Sequence, residues 1–336
     1  VKIFLAVILF IILKLAQAAG NPYDMETLLN QRDVIWGFDF LTSDTLLFTE
    51  RGGKIYSYEL TTKNLTEVKG TPKVYSEGQG GMLDLRVHQR NGYIYLTYSA
   101  PLTGGKSATT LARFKLNKNL IKDFKVIFEA NANVNPYHFG SRIEFLNDKV
   151  FITSGERGDR PACQKLDNYF GKVIRMNEDG SNPQIWTLGH RNQQGLTLKP
   201  GTEELWESEF GPQGGDEINL LKKGANYGWA IVTYGKEYEG PKIGEGTKKK
   251  GMEEPVTNWV PSISPSAITF WNDDLWLATL SGEHLRRLSL EGQKVIKQEE
   301  YFKDLGWRFR NIRPGPDGNL WFSTDEGRLG KVKLKK

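Results

Sequence analysis

Gly189–Trp229 reads GHRNQQGLTLKPGTEELWESEFGPQGGDEINLLKKGANYGW. Within it, Glu204-Leu205-Trp206-Glu207-Ser208 alternates apolar and polar residues, and Asp216–Leu221 alternates again beyond a Gly211-Pro212 turn. Period-2 alternation over five or six residues, bounded by Gly, Pro and Asp, is the signature of half-buried strands. A third alternating segment, Gly195-Leu196-Thr197-Leu198, comes just before the pair. If the same unit recurs along the chain, it sets the fold.

It recurs six times. Leu46–Glu50 is followed by Lys54–Leu60, Tyr93–Tyr98 by Thr110–Leu116, and Lys149–Ser154 by Lys172–Met176. Glu204–Ser208 precedes Asp216–Leu221, Asp274–Ala278 precedes His284–Leu290, and Asn319–Ser323 precedes Gly330–Leu334. The spacing, about 45 to 70 residues, matches the blade period of a propeller. The expected fold is therefore all-β, a six-bladed β-propeller of four-stranded blades. A pair of β-sandwiches would show shorter periods and a linker, and no linker is visible.

Val34–Phe40, Ser141–Phe145, Gly195–Leu198, Ser266–Phe270 and Arg310–Arg313 alternate just ahead of their units and read as inner strands lining a central channel. The polar residues beside them, including His138, His190, Arg191, Asn192, Arg308 and Arg310, would then converge at one end of that channel. Trp206, Trp276 and Trp321 stand at equivalent points of their units and read as blade core. His88 and His284 fall in ordinary strand or turn positions.

Residues 1–18 read as a signal peptide. Lys2 supplies a positive start, Ile3–Leu13 is an unbroken apolar run, and Ala16-Gln17-Ala18 is a small-x-small cleavage pattern. The run is about half of what a membrane span needs. An uncleaved anchor is the competing reading. Residues 19–336 then form one propeller domain, periplasmic or secreted, with no stable membrane insertion. Without residues 1–18 the chain carries 43 basic and 40 acidic residues, a net charge of +3. The basic residues are scattered apart from Lys248-Lys249-Lys250, so no nucleic-acid footprint is drawn. Cys163 is the only cysteine. An exported chain without an internal disulfide relies on core packing or bound ions.

The two polar clusters of Gly189–Trp229 carry their own chemistry. Arg191 beside Asn192 offers a rigid donor fork for a planar, carboxylate-bearing ligand. The Gly211-Pro212 turn followed by Asp216 offers carbonyl and carboxylate oxygens, the donors that hard cations prefer. The same residues are also what turns are made of. His138 alone is equally open to a structural reading, and Arg308 and Arg310 to a solvated strand edge.

The segments LLFTERGGKI, EGQGGMLDLRVH, HFGSRIEF, GHRNQQGL, GPQGGDEINLLKKGANYGW, PSISPSAITF and NIRPGPDGNLWFSTDE occur in this order between Trp36 and Glu326. In this series the chain resembles the glucose/sorbosone dehydrogenases, soluble sugar dehydrogenases that use pyrroloquinoline quinone (PQQ). The shorter loops bring it nearer to the aldose sugar dehydrogenases among them. The resemblance implies PQQ and Ca2+ as cofactors, an aldose as substrate and a lactone as product, and it leaves the electron acceptor open. It implies that His138 is the general base, that Gln79, Arg191 and Asn192 hold the quinone, and that Asp216 is a cofactor-side acid. It further implies that Gly211 and Pro212 supply calcium-binding carbonyls and that Arg308 and Arg310 meet the cofactor's carboxylates. Phe210 and Ser281 depart from the family pattern: relatives carry Gln or His at the first position, and the glucose enzymes carry a Lys at the second.

An imidazole near its working pKa suits proton removal from a sugar hydroxyl. No Gly-x-Ser-x-Gly elbow or strand–helix dinucleotide fingerprint is present. The other readings are a calcium-dependent propeller lactonase and a non-catalytic propeller that binds carbohydrate or protein. The arginine set disfavours the lactonase, because a lactone has no carboxylates to neutralise. Phe210 and Ser281 favour the non-catalytic propeller.

Overall fold

The computed structural model describes residues 21–335, so the proposed signal segment lies outside the described residues. Six four-stranded antiparallel sheets form the six blades of a propeller. Their innermost strands are Ile35–Phe40, Met82–Val87, Ile143–Leu146, Gln193–Leu198, Pro265–Trp271 and Phe309–Pro314, numbered here as blades one to six. The paired strands expected from the sequence are the second and third strands of each blade, within a few residues at either end.

Seven strands escape the sequence reading, the outermost of each blade and one inner strand. Met82–Val87 is the inner strand of the second blade. Tyr23–Leu29 completes the sixth blade by pairing antiparallel with Leu329–Leu334, in a register that sets Tyr23 opposite Leu334 and Met25 opposite Val332. The start of the described chain thus closes the ring on its end.

Blades pack through the apolar faces that alternation creates. Trp206, Trp276 and Trp321 are at most 1% exposed and sit in three different interblade clusters, which removes them as sugar platforms. Near the axis the blades also join through hydroxyls. Thr49, Thr97, Thr153, Ser208 and Ser323, each on a second strand, donate to carbonyls of Leu83, Ser141, Gln193, Pro265 and Ile35 at 2.6–3.1 Å. Ser266 donates to the Phe309 carbonyl at 2.6 Å and makes the sixth join. Buried hydroxyls must find partners, and each of these six finds one on the next blade. Close approach also requires small residues: a Cβ on Gly195 would lie 2.9 Å from the Ile268 nitrogen of the fifth blade.

Candidate active site

At one end of the channel lies a cavity of about 350 Å³. Gln79, His138, Arg191, Phe210, Gly211, Arg308 and Arg310 line it, so residues distant in sequence converge as the propeller topology requires. Asn192, Asp216, Pro212 and Ser281 do not line it. Trp36, Arg51, Gln194, Tyr238 and Asp325 do, and none of them was singled out from sequence.

His138 sits on a loop before the third blade with φ of 57°. Its backbone N–H donates to Gln79 Oε1 at 2.8 Å, which ties the loop to the second blade's approach. Its Nδ1 faces the Glu156 carboxylate in a short hydrogen bond. Glu156 follows the strand Lys149–Ser154; its side chain is 2% exposed, and its Oε1 also accepts from the Gly158 N–H at 3.1 Å. Gly155 permits this meeting, since a Cβ there would lie 2.1 Å from the His138 carbonyl oxygen. Burial lowers the imidazole pKa, and Arg191 lowers it further against the opposing pull of Glu156. Burial raises the Glu156 carboxyl, but the His138 bond and the charges of His138 and Arg191 outweigh it and leave it lowered. The pair therefore favours neutral His138 with Nδ1–H given to a carboxylate. Nε2, with no protein partner among the described residues, is left as the acceptor.

Four guanidiniums line the cavity. Arg191 donates from one terminal nitrogen to the carbonyls of Phe210 and Gly211 at 3.1 and 2.9 Å, and its buried Nε has no partner among the described residues. Arg51 donates to the Gly78 carbonyl at 2.8 Å. Arg310 grips Asp325 with Nε and a terminal nitrogen at 2.7 and 3.0 Å, and Arg308 reaches the same carboxylate at 3.3 Å. Burial raises the Asp325 carboxyl, yet the two arginines outweigh it and hold it below its ordinary range. With four cations against the one carboxylate of Asp325, the lining is set for an anion carrying several carboxylates. PQQ, a planar tricarboxylate, fits that donor set and the unpaired Arg191 Nε.

The remaining sequence candidates stand behind the lining. Asn192 is 1% exposed; its Oδ1 accepts from the Gly140 N–H at 3.2 Å, and its Nδ2 has no partner. Asp216 is fully buried and accepts from Gly211 N–H, the Ser262 hydroxyl, Ile263 N–H and Ser264 N–H at 2.7–2.8 Å. Its carboxylate thus shapes two backbone segments of the cavity wall. Pro212 accepts from the Tyr238 hydroxyl at 3.0 Å. Ser281 shares a 2.8 Å bond with Ser264, which does line the cavity. Cys163 is buried, and that burial pushes its thiol pKa up, away from reactivity.

Two oxygen-rich groups could hold a cation. One is the Gly211 and Pro212 carbonyl pair, where each oxygen already accepts one hydrogen bond and keeps a second lone pair. The other, missed from sequence, is buried behind it: His190, Glu207 and Glu209 bring ligand atoms within 4.8 Å of one another. Burial, then the Glu209 charge, pushes the carboxyls of Glu207 and of neighbouring Glu217 well above the ordinary range. Glu207 Oε1 and Asn219 Oδ1 lack partners. Such a set is relieved by protons or by a hard divalent cation.

Comparison with known proteins supplies the chemistry that shares this frame. Residues 32–332 match the model of the glucose/sorbosone dehydrogenase family. Aldose sugar dehydrogenase YliI of Escherichia coli (strain K12) is 34% identical over 348 residues, covering 94% of each chain. Quinoprotein glucose dehydrogenase B of Acinetobacter calcoaceticus is 30% identical over 272 residues, covering 67% of this chain and 56% of the relative. The crystal structure of the apo-form of the soluble E. coli aldose sugar dehydrogenase superposes with a TM-score of 0.89 at 34% identity, over 93% of this chain and 100% of that one. The chain belongs to the glucose/sorbosone dehydrogenase family, and its chemistry is that of a sugar-oxidising oxidoreductase.

Proposed function

We propose that the protein oxidises aldoses at the anomeric carbon to lactones, with PQQ and calcium as cofactors and His138 as the general base. The observation that supports this most is the cavity itself, where one free imidazole nitrogen faces four guanidiniums across about 350 Å³. The chemistry that PQQ and calcium would supply in this cavity is that of a hydride acceptor for the anomeric carbon. Arg191, Arg308 and Arg310 bind and orient its carboxylates, with Gln79 and Asn192 holding the loops around it. His138 Nε2 removes the proton from the anomeric hydroxyl as the hydride leaves, and Glu156 stabilises the imidazolium that forms. Gly211 in the cavity wall and Pro212 just behind it would offer carbonyls to calcium, with Asp216 bracing their turn. Phe210 and Ser281 do not obstruct this reading: Phe210 lends its carbonyl to Arg191, and Ser281 only braces Ser264.

Among the described residues no helix is long and apolar enough to cross a membrane. We place the mature protein in the periplasm or outside the cell, on the signal pattern of residues 1–18. The test is to supply purified apo-protein with PQQ and calcium and to follow aldose-dependent reduction of an artificial dye. Dye reduction that requires all three additions is the expected result. Tight PQQ binding without sugar oxidation would favour the non-catalytic propeller, and lactone hydrolysis without PQQ would favour the lactonase.

A further inference from the structure

Behind the cavity lining one buried side chain crosses between the inner strands. Arg142, 3% exposed, enters from the third blade just before its inner strand. Its Nε donates to the Gln194 carbonyl of the fourth blade at 2.5 Å. One terminal nitrogen donates to the Ser266 carbonyl of the fifth blade at 2.6 Å and to the Arg310 carbonyl of the sixth at 3.1 Å. The other reaches Asp84 Oδ1 of the second blade at 3.4 Å. The guanidinium carbon lies 4.1 Å from the ring centre of Trp36 in the first blade. One planar group therefore touches the inner strands of all five other blades.

Three of those five partners, Trp36, Gln194 and Arg310, line the cavity above. They are also joined to one another, since Arg310 donates to Gln194 Oε1 at 3.2 Å and lies 5.9 Å from the Trp36 ring centre. Below, Arg142 borders a small polar void of about 10 Å³ shared with Asp84, Glu144, Asn311 and Arg313. It lies between that void and the three cavity-lining residues that it holds.

Stability alone does not account for a cation here. Removing a guanidinium from water is costly, and apolar residues of similar volume commonly replace buried charges without loss. A single carboxylate at 3.4 Å is a weak counter-charge for it, and burial with that imperfect pairing lowers the Arg142 pKa to about 10. What an apolar plug cannot do is donate to carbonyls on three blades at once. Only the planar five-donor fork of Arg matches that array, and Lys would not.

We propose that Arg142 is a positioning residue for the cofactor pocket: by joining all six inner strands it fixes the floor formed by Trp36, Gln194 and Arg310. The proposal rests on reading the cavity as the quinone site. Holding the Arg310 carbonyl sets where the Arg310 side chain begins, and holding the Gln194 carbonyl does the same for its amide. The face of Trp36 is pinned by the cation beneath it. A rigid floor keeps the Arg310 fork and the quinone plane in register with His138, and small displacements there propagate to binding.

The experiment compares wild type with Arg142→Lys and Arg142→Met at a temperature where each is fully folded. PQQ affinity is read by absorbance titration and sugar KM by dye reduction. Both variants should bind PQQ about tenfold to a hundredfold more weakly, with sugar KM within about twofold. In Arg142→Ala, millimolar guanidinium should restore PQQ affinity and methylammonium should not. PQQ affinity within about twofold of wild type in a folded variant, or guanidinium rescue of melting temperature alone, overturns the proposal. Should Arg142→Met fail to fold, Asp84→Asn takes its place, since it removes the only carboxylate partner yet keeps an acceptor for the Ile143 N–H. Its expected loss is about threefold to tenfold, and unchanged affinity counts against the role. The crystal structure of Arg142→Met reads the floor without any cofactor. Unmoved Trp36, Gln194 and Arg310 side chains overturn the proposal even if wild type takes up no PQQ, a result that by itself counts against the quinone reading of the cavity.

Discussion

Four histidine–glutamate pairs occur among the described residues, and the two that lie close together, those of His138 and His190, are built for different ends. His138 meets Glu156 at the cavity, where its side chain is 18% exposed and its Nε2 is free. His190 meets Glu209 at 3.2 Å in full burial, with Nε2 already bonded to the Thr187 hydroxyl at 2.8 Å and its ring stacked on Tyr227 at 4.7 Å. Arg191 ties the two together: its N–H donates to Glu209 Oε2 at 2.6 Å, and its carbonyl accepts from Glu156 N–H at 2.8 Å. A carboxylate on one nitrogen is therefore not what makes a histidine a base. The second nitrogen decides, by facing either a cavity or another side chain.

Replacing each histidine tests that contrast most severely. His138→Ala should cut turnover by about two to four orders of magnitude, the range of a positioned general base, while leaving melting and PQQ titration nearly unchanged. His190→Ala should do the reverse. Losing its hydroxyl and carboxylate partners should reduce unfolding free energy by about 2–4 kcal/mol, with loaded turnover falling less than about tenfold. Equal loss of turnover in both would erase the distinction, and an unfolded His138→Ala would make that residue structural.

Arg191 and Arg308 probe the anion side of the cavity next to the base. Each charge-assisted bond to a carboxylate contributes about 1.5–3 kcal/mol. Either arginine changed to Ala should weaken PQQ binding by roughly tenfold to a hundredfold, measured by titration. Arg308, 45% exposed, should lie at the low end and Arg191 at the high end. Unchanged affinity in both variants would refute the carboxylate assignment.

The buried pair borders the Glu207, Glu209 and Glu217 group, and this gives a smaller, cation-dependent effect. Calcium at about a hundred times its dissociation constant should raise the melting temperature by roughly 5 °C, more than magnesium does, because Mg2+ demands a tighter octahedron. Glu217→Gln should shrink that rise. A calcium response undiminished in Glu207→Gln/Glu217→Gln would assign the whole effect to the Gly211-Pro212 carbonyls and leave the buried carboxylates without a cation.

These contrasts also show what one chain can reveal before it is folded. Alternation is local, so the second and third strands of every blade are readable, as are Trp206, Trp276 and Trp321. Tyr23–Leu29 is not, because its partner lies some three hundred residues away and nothing local specifies that pairing. His138, Arg191, Arg308 and Arg310 stand out as chemistry-bearing residues at strand entrances. Glu156 and Asp325 are ordinary acids after a strand until the fold sets them against His138 and Arg310. The buried hydroxyls carried a signal that alternation alone does not use: Thr49, Thr97, Thr153, Ser208 and Ser323 recur at one point of five units. Asp216 misleads in the other direction, since an acid beside a Gly-Pro turn suggests a ligand while four backbone and hydroxyl donors already occupy it.

The finest test is the pH dependence of sugar oxidation. His138 must be neutral to accept a proton at Nε2, so kcat/KM should rise with pH along an acid limb and then level off. Burial lowers the imidazole pKa, Arg191 adds to that, and Glu156 opposes both. The limb should therefore lie below the ordinary imidazole value of about 6.5. Glu156→Gln removes the one influence that raises the pKa and keeps a side chain of the same shape. Its limb should move further toward acid, while turnover on the plateau falls by about tenfold to a hundredfold because the ring loses its orienting carboxylate. Deuterium at the anomeric carbon separates the two effects: a larger isotope effect in the variant means that the chemical step has slowed. A wild-type limb above 6.5 would show that burial and Arg191 do not prevail over Glu156, and a Glu156→Gln limb displaced toward alkali would show that Glu156 does not raise the His138 pKa; either outcome removes the tuning assigned to this pair.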